Sequence, residues 1–431
     1  MVKIDSIAQG GRGVARADGY VVFVSGALPG DRVRARLTKA KRDFAEAQAV
    51  ELIDPSPDRV PDQCLHEGEP CPGAPWQGLP YERQLNEKCE QIDAALRRLG
   101  RLDGFDLEPA VPAAQPWRYR NKLEYSFGER NGHLALGFHR RGSWTDVIDA
   151  EDCLLASERN NEARNRVREW ARREGIPAYD PRGQTGVLRN LVAREGRRTG
   201  QIQTRLVSAP ASFPKPPVDL HTVVEGPGGG TYGPTGVLGE EFLTEELSQL
   251  QFRVSSSAFF QTNPEMAERL YEIAADHAEL SGRERVFDLY CGIGTIGLSL
   301  ARGAGEVWGI ETVPEAVADA EENARHNGIA SAHFIAADVR LGVRPLLERV
   351  GRPDVVVVDP PRAGLSKKVI RRVIECGARR IVYVSCNPTT LAPNASQLTD
   401  AGYTLRRVRP VDMFPQTPHV ECVALLEKGR R

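Results

Sequence analysis

The run Val286-Phe287-Asp288-Leu289-Tyr290-Cys291-Gly292-Ile293-Gly294-Thr295-Ile296-Gly297-Leu298 decides the fold. Its apolar first half reads as a buried β-strand. The glycines that follow open a helix with no Cβ to hold a ligand away from the N–H groups at its start. A second strand, Glu306-Val307-Trp308-Gly309-Ile310-Glu311, ends in an acid placed where a ribose presents its hydroxyls, and the strand-like run 333–337 ends at a third acid, Asp338. Farther on, Val355-Val356-Val357-Val358 delivers Asp359-Pro360-Pro361-Arg362, and Ile381-Val382-Tyr383-Val384 delivers Ser385-Cys386-Asn387-Pro388. Buried strands alternating with helix-period runs from Phe252 onward predict an α/β, doubly wound Rossmann-like domain over 251–431, with ligands at the carboxyl ends of its strands.

Gly292, Gly294 and Gly297 satisfy G-x-G-x-x-G, so a nicotinamide or flavin cofactor has to be weighed. Asp288 separates the readings. Its carboxylate lies where a pyrophosphate would have to sit, whereas S-adenosylmethionine brings a cationic ammonium and sulfonium there. The acids favour S-adenosylmethionine.

Outward from this domain, the 431 residues are enough for two to four units at roughly 100–200 residues per domain. We expect three. The first, 1–55, alternates β-rich runs with glycine turns and reads as a small closed barrel of the oligonucleotide-binding kind. Residues 56–250 read as a central α+β segment, with a helix-period run over 81–99 and strand-like runs at 123–127 and 201–206. No apolar stretch nears the roughly 20 residues of a membrane span, and Met1 to Ser6 carry no apolar export signal. We expect a cytoplasmic monomer. Lys plus Arg total 57 against 58 for Asp plus Glu, so the net charge says nothing about a polyanionic partner. A local run does. From Trp117 to Arg141, Arg118, Arg120, Lys122, Arg130, Arg140 and Arg141 interleave with Tyr119, Tyr125, Phe127 and Phe138 and could hold phosphates and stack unpaired bases.

The chemistry rests on two further residues. Carbon 5 of a pyrimidine is a poor nucleophile until a thiolate adds at carbon 6, and after methyl transfer the proton on carbon 5 must leave before the thiol can be eliminated. Cys386, at the end of a buried strand beside an Asn-Pro turn, supplies the thiol; Glu421, the one early carboxylate of the strand at 420–426, supplies the base. Arg362 stands where amine-directed methyltransferases usually carry an aromatic, which suits a carbon target.

Together these residues resemble the uracil-5 methyltransferases of ribosomal and transfer RNA, over nearly the whole chain. Phe259-Phe260-Gln261-Thr262-Asn263 is similar to the family's F-x-Q-x-N segment, and 288–297 to its cofactor loop; 359–362, 385–388 and 419–421 are similar to its acid, nucleophile and general-base motifs. The resemblance implies a cofactor site of Gln261, Asp288, Tyr290, Gly292, Gly294, Glu311, Asp338 and Asp359, with Cys386 and Glu421 catalytic. The N-terminal barrel resembles the TRAM domain of the ribosomal-RNA members, which tips the substrate toward 23S ribosomal RNA and 5-methyluridine as product, with a single-stranded or flipped-out target. Those members usually hold a [4Fe-4S] cluster on four Cys. Here Cys64, Cys71 and Cys153 match three of them and Gln77 matches a following Gln, but Ala74 occupies the third ligand position, with Cys89 a possible substitute. Cys291, Cys376 and Cys422 read as packing residues. Rival readings are the same chemistry on transfer RNA, a non-catalytic RNA-binding assembly factor, and a dehydrogenase.

Overall fold

A computed structural model describes every residue except 18, 141, 218–219, 226–230, 239 and 430–431. Arg141 of the basic run therefore lies outside the described residues.

At the N-terminus the chain uses one short stretch twice. Val2 and Lys3 pair with Val33 and Arg32, and four residues later Ser6 and Ile7 pair with Val14 and Gly13. With the Asp5 N–H donating to the Val14 carbonyl, this stretch joins both ends of the sheet and closes the expected barrel around Ile4, Val22, Val24, Val33 and Ala47. Closure removes the edges that would otherwise invite pairing with another chain.

The central sheet runs, in spatial order, Val147–Asp149, His133–His139, Lys122–Arg130, Leu188–Glu195, Ile202–Ser208, Leu220–Glu225 and Thr231–Val237. Helix Glu158–Arg173, capped by the Ser157 hydroxyl, lays Val167, Trp170 and Ala171 against Tyr125, Leu136 and Leu191.

The C-terminal sheet orders its strands Ala332–Ala336, Glu306–Glu311, Arg285–Leu289, Val355–Val358, Arg380–Ser385, Glu421–Lys428, Tyr403–Val411 and Asp106–Leu107. The first five are parallel; Glu421–Lys428 inserts antiparallel to both of its neighbours. Separate apolar clusters cover the two faces, which explains why Val355–Val358 is apolar at every position. This is the doubly wound architecture that the alternation predicts.

Two segments assigned by sequence to the central region belong with this sheet. Helix Tyr81–Ala94, the π-turn Ala95–Leu99 and the edge strand Asp106–Leu107 bury Ile92, Leu96, Leu102 and Phe105 on one of its faces. The hairpin of Phe242–Leu247 and Leu250–Ser255 packs Leu243, Leu250 and Phe252 on the other, so the division after 250 cuts a hairpin. Hydrophobic period shows that a segment is helix or strand, but not which sheet will cover its apolar face.

The basic run is also corrected. Tyr119, Tyr125 and Phe127 are buried in the central core, and Phe138 tilts against Tyr125. Arg118 is paired with Asp152, and Arg130 and Arg140 share Asp146 and Glu67. Their partners come from outside the run or from its far side, so a local count of acids overstated the free positive charge. Among the described residues, no helix is long and apolar enough to cross a membrane.

Candidate active site

Five strand ends converge on one edge of the C-terminal sheet. Asp288, fully buried, accepts from the Gly297 N–H at 2.8 Å through Oδ2, while its Oδ1 has no hydrogen-bond partner. A Cβ on Gly297 would lie 2.8 Å from the same Oδ2, which is why this position is glycine. Tyr290 takes a left-handed conformation at φ +71°, unusual for an aromatic residue, and Gly292 and Gly294 follow at +54° and +85°. The Glu311 carboxylate accepts from the N–H groups of Gly292 (3.1 Å), Thr312 (2.6 Å) and Val313 (3.0 Å), tying the second strand's end to the glycine loop. Asp338 caps the next helix through the Arg340 N–H and keeps about half its side chain in solvent.

Burial pushes Asp288 up to about 7, with Asp359 and Glu311 adding to the rise, and burial alone pushes Asp359 up to about 7. Carboxyls gathered out of water in this way favour a cation among them.

Cys386 and Glu421 meet through strand pairing. Ser385 lies opposite Cys422 in the antiparallel ladder, so the next residue beyond one strand's end and the one before it on the other face each other: Cys386 and Glu421. Glu421 is buried, and burial with Asp359 nearby raises its carboxyl well above the usual range. Burial, Glu421 and Asp359 push the Cys386 thiol up to about 11, against a downward pull from Arg362. Asn387 caps the helix Pro388–Asp400 and donates to the Arg362 carbonyl, so the nucleophile loop and the diproline loop hold each other. Gln261 is buried, its carbonyl accepting from Asn121, and Asn263 caps helix Pro264–Ala278 while donating to Met413. The exposed Phe259 stands beside it.

Sequence reasoning missed the support behind these groups. Lys88 and Asp412, both about 1% exposed, form an ion pair at 2.6 Å; Lys88 also donates to the Phe414 carbonyl, and the Tyr81 hydroxyl donates to Asp412. These contacts fix the loop that leads to Glu421. A helical Lys in a charged sequence gives no sign of burial, and its partner is 324 residues away. Gln9 of the barrel, which donates to Asn387 at 2.9 Å, was missed for the same reason. Asn394, on helix Pro388–Asp400, bonds both Leu365 backbone groups and the Tyr383 hydroxyl.

A family model described as tRNA (Uracil-5-)-methyltransferase matches residues 234–343 and 347–429, and a TRAM domain model matches residues 1–50. An RNA methyltransferase of Halalkalibacterium halodurans is 39% identical over 99% of this chain and 96% of its own length. The chain belongs to the RNA uracil-5 methyltransferase family. An RNA methyltransferase of Caldanaerobacter subterraneus is 38% identical over 99% of this chain and 98% of its own. The crystal structure of the Pyrococcus abyssi tRNA (uracil-54, C5)-methyltransferase in complex with S-adenosyl-L-homocysteine matches with a TM-score of 0.80 at 28% identity, covering 99% of each chain. Family membership decides between the two readings of the glycine loop in favour of an S-adenosylmethionine-dependent methyltransferase, and against a dehydrogenase.

In this methyltransferase the cysteines divide as their surroundings dictate. Cys291, Cys376 and Cys422 are buried in the two apolar clusters of the C-terminal sheet. Cys64 and Cys71 come together with His66, which the sequence reading had not counted, and Cys153 is buried in the same central core. Cys89 is not in this group; it stands on helix Tyr81–Ala94 with its thiol beside the Ala110 N–H.

Proposed function

We propose that this methyltransferase makes 5-methyluridine in 23S ribosomal RNA. The Cys386 thiolate adds to carbon 6 of the target uridine, and the electron pair gained at carbon 5 attacks the methyl group of S-adenosylmethionine, releasing S-adenosylhomocysteine. Glu421 then takes the proton from carbon 5, and the carbon 6–sulfur bond breaks to return the thiolate. Asp288, Glu311 and Asp359, with Tyr290, Gly292, Gly294, Gln261 and Asp338 around them, form the cofactor side of the site. The register that sets Cys386 against Glu421 carries this reading. A carboxyl with raised proton affinity is a stronger base once ionised, which suits proton removal from carbon. Arg362 favours the thiolate.

The segment from Cys64 to Gln77, similar to that of ribosomal-RNA members, favours the ribosomal substrate. The similarity to the Pyrococcus abyssi enzyme favours a second reading, transfer RNA. Because that match covers 99% of both chains, the barrel does not distinguish the two. Incubation of the enzyme and methyl-labelled S-adenosylmethionine with 23S ribosomal RNA and with transfer RNA should label the first; label only in transfer RNA would change the substrate and keep the chemistry. Cys386→Ala should abolish labelling of either RNA while cofactor affinity stays within a few-fold, and Glu421→Gln should accumulate a protein–RNA adduct that survives denaturation. Methylation by Cys386→Ala would overturn the mechanism.

A further inference from the structure

The family resemblance implies a four-iron cluster, but the residues present fit it poorly. Its third cysteine position is Ala74, fully buried, and Cys89 stands on helix Tyr81–Ala94, outside the core cluster that holds Cys64, Cys71 and Cys153. What converges instead is a compact set of a different kind. The two-residue strands Leu65–His66 and Glu69–Pro70 form a tight hairpin whose turn, Glu67 and Gly68, takes the left-handed conformation at φ +53° and +79°. The hairpin sets Cys64 and Cys71 opposite each other, with the Cys71 N–H donating to the Cys64 carbonyl at 3.0 Å. It also carries His66, whose Nε2 lies 3.6 Å from the Cys64 sulfur. The donor atoms of Cys64, His66 and Cys71 all lie within 4.8 Å of one another.

A group that compact suits a single ion. A single tetrahedral ion bound at zinc–ligand lengths of about 2.0–2.3 Å holds its donors about 3.3–3.8 Å apart. A four-iron cluster seats each thiolate on a separate iron and so spreads them more widely.

A further thiol stands on a neighbouring loop, outside that group of three. Cys153 is fully buried in the same apolar core as Cys64 and Cys71. All three thiols are buried and none is in a disulfide. Gln77 completes the support: its amide bonds both the N–H (2.8 Å) and the carbonyl (3.0 Å) of Cys64.

We infer that one zinc ion binds Cys64, His66 and Cys71 and draws in the neighbouring Cys153 as its fourth donor, a closed Cys3His site which staples the 64–77 segment to the loop at 153–156. Four protein donors leave no open position, so the role is structural. The inference does not depend on which RNA is methylated.

The test uses the full chain, purified without oxygen and analysed for metals and acid-labile sulfide. About one zinc per chain and no sulfide is the expected result. Cobalt loaded in its place should give tetrahedral ligand-field bands with thiolate charge transfer. His66→Ala should weaken zinc binding at least tenfold, and Cys89→Ala should leave it unchanged. Should His66→Ala fail to fold, His66→Cys serves instead, keeping zinc while strengthening the cobalt–thiolate charge-transfer band. Iron with stoichiometric sulfide, no metal bound after dialysis against zinc, or a cobalt spectrum identical in wild type and His66→Cys would each overturn the assignment.

Discussion

Cys386 works against its surroundings. Burial and two neighbouring carboxyls hold its proton on up to about pH 11, and the Arg362 guanidinium opposes them. In the reaction we propose, kcat/KM should therefore rise with pH through the neutral range, because the thiolate fraction rises. Replacing Arg362 with Gln should move that rise to higher pH and lower the rate near pH 7.5 by about tenfold, the effect of roughly one unit in the thiol's pKa. A pH–rate profile of the variant that overlays the wild type would remove Arg362 from this role. Asp288 makes the converse bargain of stability for binding. Its folded-state pKa, about 7, is above the ordinary 3.8, so the stability held at low pH is lost as pH rises from about 4 through about 7. Asp288→Asn keeps an oxygen for the Gly297 N–H and removes the buried charge. Thermal melts without cofactor should show the variant several degrees more stable near pH 8 and no more stable near pH 4, while calorimetry shows at least tenfold weaker S-adenosylmethionine binding. An unchanged affinity would take Asp288 out of the cofactor site.

Elements were legible where one segment carries its own signal. The strand, glycine loop and helix from Arg285 onward, and the strands ending at Asp359 and Cys386, are written in consecutive residues, and so is the closed barrel. Membership was not legible: the hairpin at 242–255 and the helix from Tyr81 show their period but not the sheet that covers them. The pairing of acids with Arg118, Arg130 and Arg140 was hidden for the same reason, since it crosses between elements. Most hidden of all is Lys88 with Asp412, a pair that joins the helix Tyr81–Ala94 to the loop before Glu421. Removing one member of a buried pair strands the other's charge and costs about 3–5 kcal/mol. Lys88→Met should lower stability to urea by about that amount. It should also slow turnover by loosening the loop that carries Glu421, and the double variant Lys88→Met with Asp412→Leu should recover much of the stability. Equal losses in the single and double variants would show that no buried charge is being relieved.

At the scale of the whole molecule, the barrel is seated on the catalytic half of the protein. Ile7 and Leu28 pack with Trp76 and Leu79, the buried Asp31 holds Arg59 through both carboxylate oxygens, and Gln9 reaches Asn387 beside the nucleophile. Deleting the barrel would therefore strip a core as well as an RNA-binding surface, and a loss of activity on deletion could not be assigned to either. A cleaner test uses the strand pair Arg32–Ala40 and Phe44–Asp54, whose tip carries Lys39, Lys41 and Arg42, all exposed, away from that seat. If these cations hold phosphates flanking the target uridine, each contact releases counterions on binding. Replacing all three with Ala should raise the KM for RNA and flatten the dependence of log affinity on log salt by about 2, at about 0.7 per phosphate on a single strand. S-adenosylmethionine affinity and the melting temperature should not move, because no core residue is touched. A salt slope equal to that of the wild type would mean that RNA approaches the site without the barrel's tip, and would direct the search for its track to the surface around Phe259 and Arg362 at the mouth of the active site.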